Sequence, residues 1–217
     1  MDIIGNAEAD SHVQHLPYSH YRHLHELDLD SLKQKLLSDI KWERVVHGGR
    51  ELRKSAWYVE GNCTCRYKYG SIESHPEGFA PNEFPEFLKD LAGMVREIFG
   101  YKDNPDACNL NLYETGDNVL GFHADNEALF RGKQGEAEII SLSLGSTRRF
   151  TLRDNFTKEL YPIDIKEGDI VAMRKLTQRS HEHCVEKGCT DLNLEPRINL
   201  TFRFILNHGK RCKKKAN

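Results

Sequence analysis

No apolar run in this 217-residue chain approaches the roughly 18 residues needed to cross a bilayer, which argues against a membrane-spanning helix. The N-terminus, Met1-Asp2-Ile3-Ile4-Gly5, lacks the basic and apolar regions of a secretory signal. Charge of one sign is also missing. Lys and Arg total 31 against 33 Asp and Glu, a net charge of -2, so the chain is not the basic body of a tight nonspecific nucleic-acid binder. Internal repeats, a glycine-rich phosphate loop, a serine nucleophile elbow and paired glycosidase-like carboxylates are all absent, which removes those enzyme classes.

What remains is the composition of one soluble globular domain, 38% hydrophobic and 29% charged, long enough to bury a sizeable core. The six cysteines, Cys63, Cys65, Cys108, Cys184, Cys189 and Cys212, are irregularly spaced, and a chain of this length has little need of disulfides. They read as reduced thiols of an intracellular protein, cytoplasmic or nuclear. Cys63-Thr64-Cys65 offers two zinc ligands, but no matching pair follows at zinc-finger spacing. The segment Lys210-Arg211-Cys212-Lys213-Lys214-Lys215 is the one basic cluster; it either holds phosphates in a salt-dependent way or is a solvated end.

Residues 1–27 are polar, rich in histidine and without periodicity, and are expected to form a flexible arm. Asp30 can cap a short helix with Leu32, Leu36, Leu37 and Ile40 on one stripe. Gly48-Gly49 suits a hairpin connection. Asn82 precedes a predicted helix from Phe84 to Phe99, where Phe84, Phe87, Leu88, Leu91, Val95 and Ile98 recur at helical spacing and Gly100 ends it. Beyond it, same-face residues predict strands over 108–114, 138–144 and 148–153, and Gly168-Asp169 opens another short strand, Ile170 to Met173, before a loop carrying His183. The expected fold is α+β, mainly β: a double-sheet jelly roll with helices over one outer face.

Two patterns carry chemistry. Over Arg197–Phe204 polar and apolar residues alternate, so a strand would place Arg197, Asn199, Thr201 and Arg203 on one face and Ile198, Leu200, Phe202 and Phe204 on the other. Two guanidinium groups on the packed face of a sheet need an anion. Gly121-Phe122-His123-Ala124-Asp125 sets an imidazole and a carboxylate on one side of an extended chain. A further histidine would complete the two-His, one-carboxylate face of non-haem Fe(II) oxygenases, and Ser180-His181-Glu182-His183 offers two candidates.

These residues resemble the AlkB-like family of Fe(II) and 2-oxoglutarate dependent dioxygenases. The resemblance is carried by Asn111-Leu112-Tyr113, His123-Ala124-Asp125, His183-Cys184-Val185 and Arg197 to Arg203, and more loosely by Tyr67-Lys68-Tyr69-Gly70; it covers residues 53–206. It selects His183 over His181, because a small and then an aliphatic residue follow, and implies His123, Asp125 and His183 as iron ligands. It implies that Arg197 pairs with 2-oxoglutarate, helped by Asn199 and Tyr113, with Asn111 and Arg203 near the metal-bound end of the cosubstrate. Tyr69, Tyr67 and Glu127 are the implied contacts to a flipped-out base.

The resemblance further implies a dioxygenase domain over 28–207, followed by a basic tail over 208–217. The implied reaction uses O2 for oxidative demethylation of N-alkylated bases in RNA or single-stranded DNA, releasing formaldehyde, succinate and CO2. The alternatives are a 2-oxoglutarate-dependent hydroxylase of a protein or small molecule, and a non-catalytic nucleic-acid-binding module.

Overall fold

The computed structural model describes residues 2–6, 11–70, 72–188, 195–210 and 212–214. The elements run β1 (Asp2–Asn6), β2 (Ser11–Leu16), α1 (Leu29–Asp39), β3 (Glu43–His47), β4 (Arg50–Val59), β5 (Asn82–Glu83), α2 (Glu86–Phe99), β6 (Ala107–Tyr113), β7 (Leu120–His123), β8 (Ile139–Gly145), β9 (Arg148–Asp154), β10 (Leu160–Ile165), β11 (Ile170–Met173), α3 (Thr177–Ser180), β12 (His181–Val185) and β13 (Arg197–Arg203). A large sheet is ordered β1-β2-β11-β8-β13-β6-β4-β3, with β5 beside β4, and a small sheet is ordered β10-β9-β12-β7. Two mostly antiparallel sheets face to face make the expected jelly roll.

Alternation in the central strands divides the interior. Ile198, Leu200 and Phe202 of β13, Cys108, Leu110 and Leu112 of β6 and Ile140, Leu142 and Leu144 of β8 pack together with Leu36 of α1 and Leu88, Leu91 and Val95 of α2. The helices therefore cover one outer face of the large sheet. A second core lies between the sheets, where Tyr113, Ile139 and Val171 meet Phe150, Leu152, Ile163 and Val185.

Gly48 and Gly49 both have positive φ, 59° and 69°, and join His47 to its partner Arg50 as a two-residue turn. That turn fixes the β3–β4 hairpin, because its twist matches that of the strands. Gly100 closes α2 in the left-handed region at φ 67°.

Several local expectations need correction. Asp28, not Asp30, caps α1: its Oδ1 accepts the Ser31 N–H at 3.0 Å. The second helix begins at Glu86, because Asn82 and Glu83 extend alongside β4 and Pro85 sets the entry. The loop expected to carry His183 is strand β12, bonded on both sides to β7 and β9. In the expected flexible arm over 1–27, the described residues contribute β1 and β2 to the large sheet. The anchor there is Asp169, whose carboxylate pairs with His15 Nε2 at 2.9 Å and accepts the Tyr18 N–H at 3.1 Å and the Lys166 N–H at 3.0 Å. Parts of the arm and tail, and Cys189, lie outside the described residues.

Candidate active site

Cross-strand register assembles a polar floor on the face of the large sheet opposite the helices. Arg197 of β13 stands opposite Tyr113 of β6, Asn199 opposite Asn111 on one side and Ser143 on the other, and Thr201 opposite Asn109 and Ser141. Because side chains directly opposite on paired strands share a face, three separate alternations make one surface. This surface floors a cavity of about 300 Å³ between the sheets.

The small sheet supplies the opposite wall. His183 of β12 pairs in register with His123 at the end of β7, and their rings lie 4.2 Å apart. Asp125 follows just after β7, where its N–H donates to Gln178 Oε1 at 2.8 Å. One carboxylate oxygen lies 3.4 Å from His123 Nε2 and the other 3.9 Å from His183 Nε2. Ligand atoms of all three residues fall within 4.8 Å of one another. His181 points elsewhere, hydrogen-bonded to Ser180 Oγ at 2.8 Å and 3.7 Å from Asp154.

The protonation of Asp125 and His183 suits a divalent cation, while at His123 burial opposes the charge but the Asp125 carboxylate outweighs it and raises the pKa above its ordinary value. Burial works against the charge on Asp125, yet the Arg203 guanidinium and the two imidazoles hold its carboxyl well below the usual carboxylate range. Burial, reinforced by His123, pushes His183 down to about 3, leaving the neutral imidazole that a metal requires. The Gly121 carbonyl lies 2.8 Å from His123 Nδ1; a proton on that nitrogen frees Nε2 for a metal. Two imidazole nitrogens and one carboxylate, with the remaining positions facing an open cavity, fit ferrous iron.

Arg197 supplies a second test of fit. It is 2% exposed, its Nε donates to Ser143 Oγ and its Nη2 to Asn199 Oδ1, both at 2.9 Å. Its Nη1 is buried without a hydrogen-bond partner, and among the described residues no carboxylate pairs with it. Burial pushes its pKa down to about 10, with Tyr113 opposing and Arg148 assisting. A buried, underfilled guanidinium lining a cavity matches the far carboxylate of 2-oxoglutarate.

Arg203 stands differently from Arg197. Although it shares the face and lines the cavity, its Nη2 donates to Asp125 Oδ2 at 2.5 Å and its Nη1 reaches Glu127 Oε2 at 3.4 Å. In this arrangement it orients and balances the carboxylate beside it.

Tyr69, Tyr67 and Glu127 line the same cavity. Tyr67 is 2% exposed, stacked on Trp57 at 4.8 Å, and its hydroxyl donates to Glu127 Oε1 at 2.8 Å. Tyr69 is only half-buried and its hydroxyl accepts from Arg53 Nη2 at 2.8 Å.

Arg53, absent from the sequence-based site, is buried in the cavity wall and also donates to Asn111 Oδ1 at 2.8 Å. Asn111 is thus held by Arg53 and by Ser55, whose hydroxyl lies 3.0 Å away. Arg53 and Ser55 alternate along β4 in the same way as the residues of β13, and that pattern was the available signal. Ser143 and Gln178 carried no signal, since their roles depend on partners distant in sequence.

The family model of the 2OG-Fe(II) oxygenase superfamily matches residues 22–203. The chain belongs to that superfamily. Its curated relatives make it an AlkB-like member: it is 30% identical over 195 residues to the alpha-ketoglutarate-dependent dioxygenase alkB homolog 3 of Bos taurus, covering 82% of this chain and 62% of the relative. It is 26% identical over 154 residues to the DNA oxidative demethylase ALKBH2 of Arabidopsis thaliana, 60% of this chain and 47% of that protein. The chain therefore spans less than two thirds of the length of these two relatives. Among solved structures, that of OsALKBH1 superposes with a TM-score of 0.57 at 22% identity, covering 88% of this chain and 97% of that one, which shows a shared oxygenase fold. The superfamily implies Fe(II) and 2-oxoglutarate as cofactors, and the residues gathered at the cavity fit both. Among the described residues, no helix is long and apolar enough to cross a membrane.

Proposed function

We propose that the protein is a nucleic-acid dioxygenase that removes alkyl groups from base nitrogens in RNA or single-stranded DNA. The observation that carries the reading is the buried, underfilled Arg197 guanidinium in the same cavity as the His123, Asp125 and His183 cluster. Metal ligands and a cosubstrate anchor are then present together. When bound, Fe(II) with 2-oxoglutarate and O2 supplies oxidation of an N-methyl group to a form that leaves as formaldehyde, with succinate and CO2 as the other products.

This chain's residues bind and position. His123, Asp125 and His183 would hold the metal. Arg197, supported by Ser143 and Asn199 and flanked by Tyr113, would hold a carboxylate of the cosubstrate, and Asn111 is fixed in the same cavity by Arg53 and Ser55. Arg203 keeps Asp125 ionised and oriented. Tyr69, at the cavity wall with its hydroxyl fixed by Arg53, offers a ring for a base rotated out of its stack; the Tyr67–Glu127 pair forms the polar edge beside it. The names of the relatives, one of them a DNA oxidative demethylase, support the substrate class.

The test is a panel of methylated oligonucleotides, single- and double-stranded, incubated with Fe(II) and 2-oxoglutarate and analysed for formaldehyde and for the product base by mass. Product from at least one single strand, lost in His123→Ala, is expected. Cosubstrate turnover that responds to a peptide or metabolite but to no strand would overturn the substrate class. Full function in His123→Ala would overturn catalysis altogether.

A further inference from the structure

A second cluster of potential ligands lies outside the oxygenase cavity. Cys63 and Cys65 follow β4, and one intervening residue leaves both thiols on the same side of an extended chain. His208 and Cys212 come from the segment after β13, where Cys212 N–H bonds back to the Gly209 carbonyl at 2.8 Å in a tight turn. Although the two pairs are far apart in sequence, their four ligand atoms fall within 4.8 Å of one another.

The separations decide what the cluster is suited to hold. His208 Nδ1 lies 3.7 Å from Cys63 Sγ, 3.6 Å from Cys65 Sγ and 3.4 Å from Cys212 Sγ, while Cys212 Sγ lies 3.6 Å from Cys63 Sγ. A tetrahedral zinc ion, with bonds of about 2.3 Å to sulfur and about 2.0 Å to nitrogen, requires sulfur–sulfur edges of roughly 3.8 Å and sulfur–nitrogen edges of roughly 3.6 Å. The measured edges match that tetrahedron. They do not match a disulfide, whose sulfurs are about 2.05 Å apart. Backbone donors also face the sulfurs: Thr64 N–H lies 3.4 Å from Cys212 Sγ and Gly209 N–H 3.5 Å from Cys65 Sγ, the contacts that balance thiolate charge around a metal.

We propose that Cys63, Cys65, His208 and Cys212 form a structural zinc site, distinct from the oxygenase iron, that pins the C-terminal segment to the stretch leading into Tyr67 and Tyr69. Three thiolates and one imidazole close the coordination shell, so the site holds zinc and has no open position for chemistry. The iron set, with two imidazoles and a carboxylate beside an open cavity, has the opposite character.

The zinc braces the proposed base-binding wall. Trp57 Nε1 donates to the Cys65 carbonyl at 2.9 Å, and Cys63 and Cys65 pack with Trp57, Tyr67, Phe79 and Phe130. The tail is tied down further by Lys214, whose Nζ lies 3.0 Å from Asp106 Oδ2.

The test is metal analysis of the full chain, expressed without an affinity metal column and kept reduced. About one equivalent of zinc per chain is expected in the wild type and in His123→Ala, and loss of that zinc in Cys212→Ser and Cys63→Ser. Cys212 is only half-buried and lies outside both sheets, so Cys212→Ser is expected to remain folded by circular dichroism. Cobalt loaded into His123→Ala should give the intense visible bands of tetrahedral coordination and a thiolate charge-transfer band, both lost in Cys212→Ser. Negligible zinc in the wild type, zinc lost with His123→Ala and kept in Cys212→Ser, or octahedral cobalt would overturn the assignment. The result is independent of demethylation, because His123→Ala is inactive in that reaction yet keeps the zinc.

Discussion

Replacing Arg197 with Met should move stability and cosubstrate binding to very different extents. In the free protein the guanidinium is buried with one nitrogen unpartnered, so its charge costs several kcal/mol of desolvation that no anion offsets. Its remaining bonds go to the neutral groups Ser143 and Asn199; leaving these without a partner costs about 1–3 kcal/mol each. The two contributions oppose each other, and Met fills a similar volume, so the variant should unfold within about 2 kcal/mol of the wild type. With cosubstrate present the balance changes. Truncating one member of a buried charge pair costs about 2–5 kcal/mol, which at 1.4 kcal/mol per tenfold is a loss of roughly 30-fold to several-thousand-fold in affinity. Calorimetric titration of 2-oxoglutarate into the Mn(II)-loaded protein without oxygen, alongside urea unfolding of the apo protein, measures both. Affinity unchanged within threefold would refute the assignment of Arg197 to the cosubstrate. Collapse of the apo fold would show that the guanidinium is a structural group.

At the proposed base-binding wall, Tyr69→Ala should raise the half-saturating concentration of a methylated strand about five- to a hundredfold, the effect of about 1–3 kcal/mol of lost stacking, while Tyr69→Phe, which breaks only the Arg53 bond, keeps most of the binding; steady-state kinetics separates the two. Asp169 is held below its ordinary value: burial raises it, but His15 and the Lys166 and Tyr18 N–H groups outweigh burial. Its contribution is therefore present above about pH 4 and lost as pH falls through the depressed folded value, so Asp169→Asn should destabilise by about 1–3 kcal/mol at pH 7, with the gap to wild type narrowing below about pH 4 in urea titrations. Leu200→Ala, at a fully buried position beneath the helices, should cost about 2–5 kcal/mol in the same assay and leave cosubstrate affinity per folded molecule unchanged.

The strands that build the site were legible because alternation with period 2 is a local property. Arg197 to Arg203 and 148–153 declared both their strand character and their faces without reference to any other residue. The iron set was legible for a related reason: His123 and Asp125 are two positions apart, and an extended chain turns both to one side. β12 was missed because His183 lies in a short polar stretch between turns, where alternation is too brief to separate strand from loop. β2 was missed because His12 and His15 obscure the pattern; it joins the sheet by pairing with β11, and Asp169, more than 150 positions away from His15 in sequence, anchors it there.

Sequence alone determined the alternating faces, the helical stripes and the kinds of donor available, since each follows from residue types at fixed local spacing. Tertiary structure decided which of two like-charged arginines is left without a carboxylate partner, that Arg53 belongs to the cavity, and that Cys63 and Cys65 meet His208 and Cys212. Those outcomes depend on strand order and register, which bring distant segments within a few ångströms of each other and which local spacing does not encode.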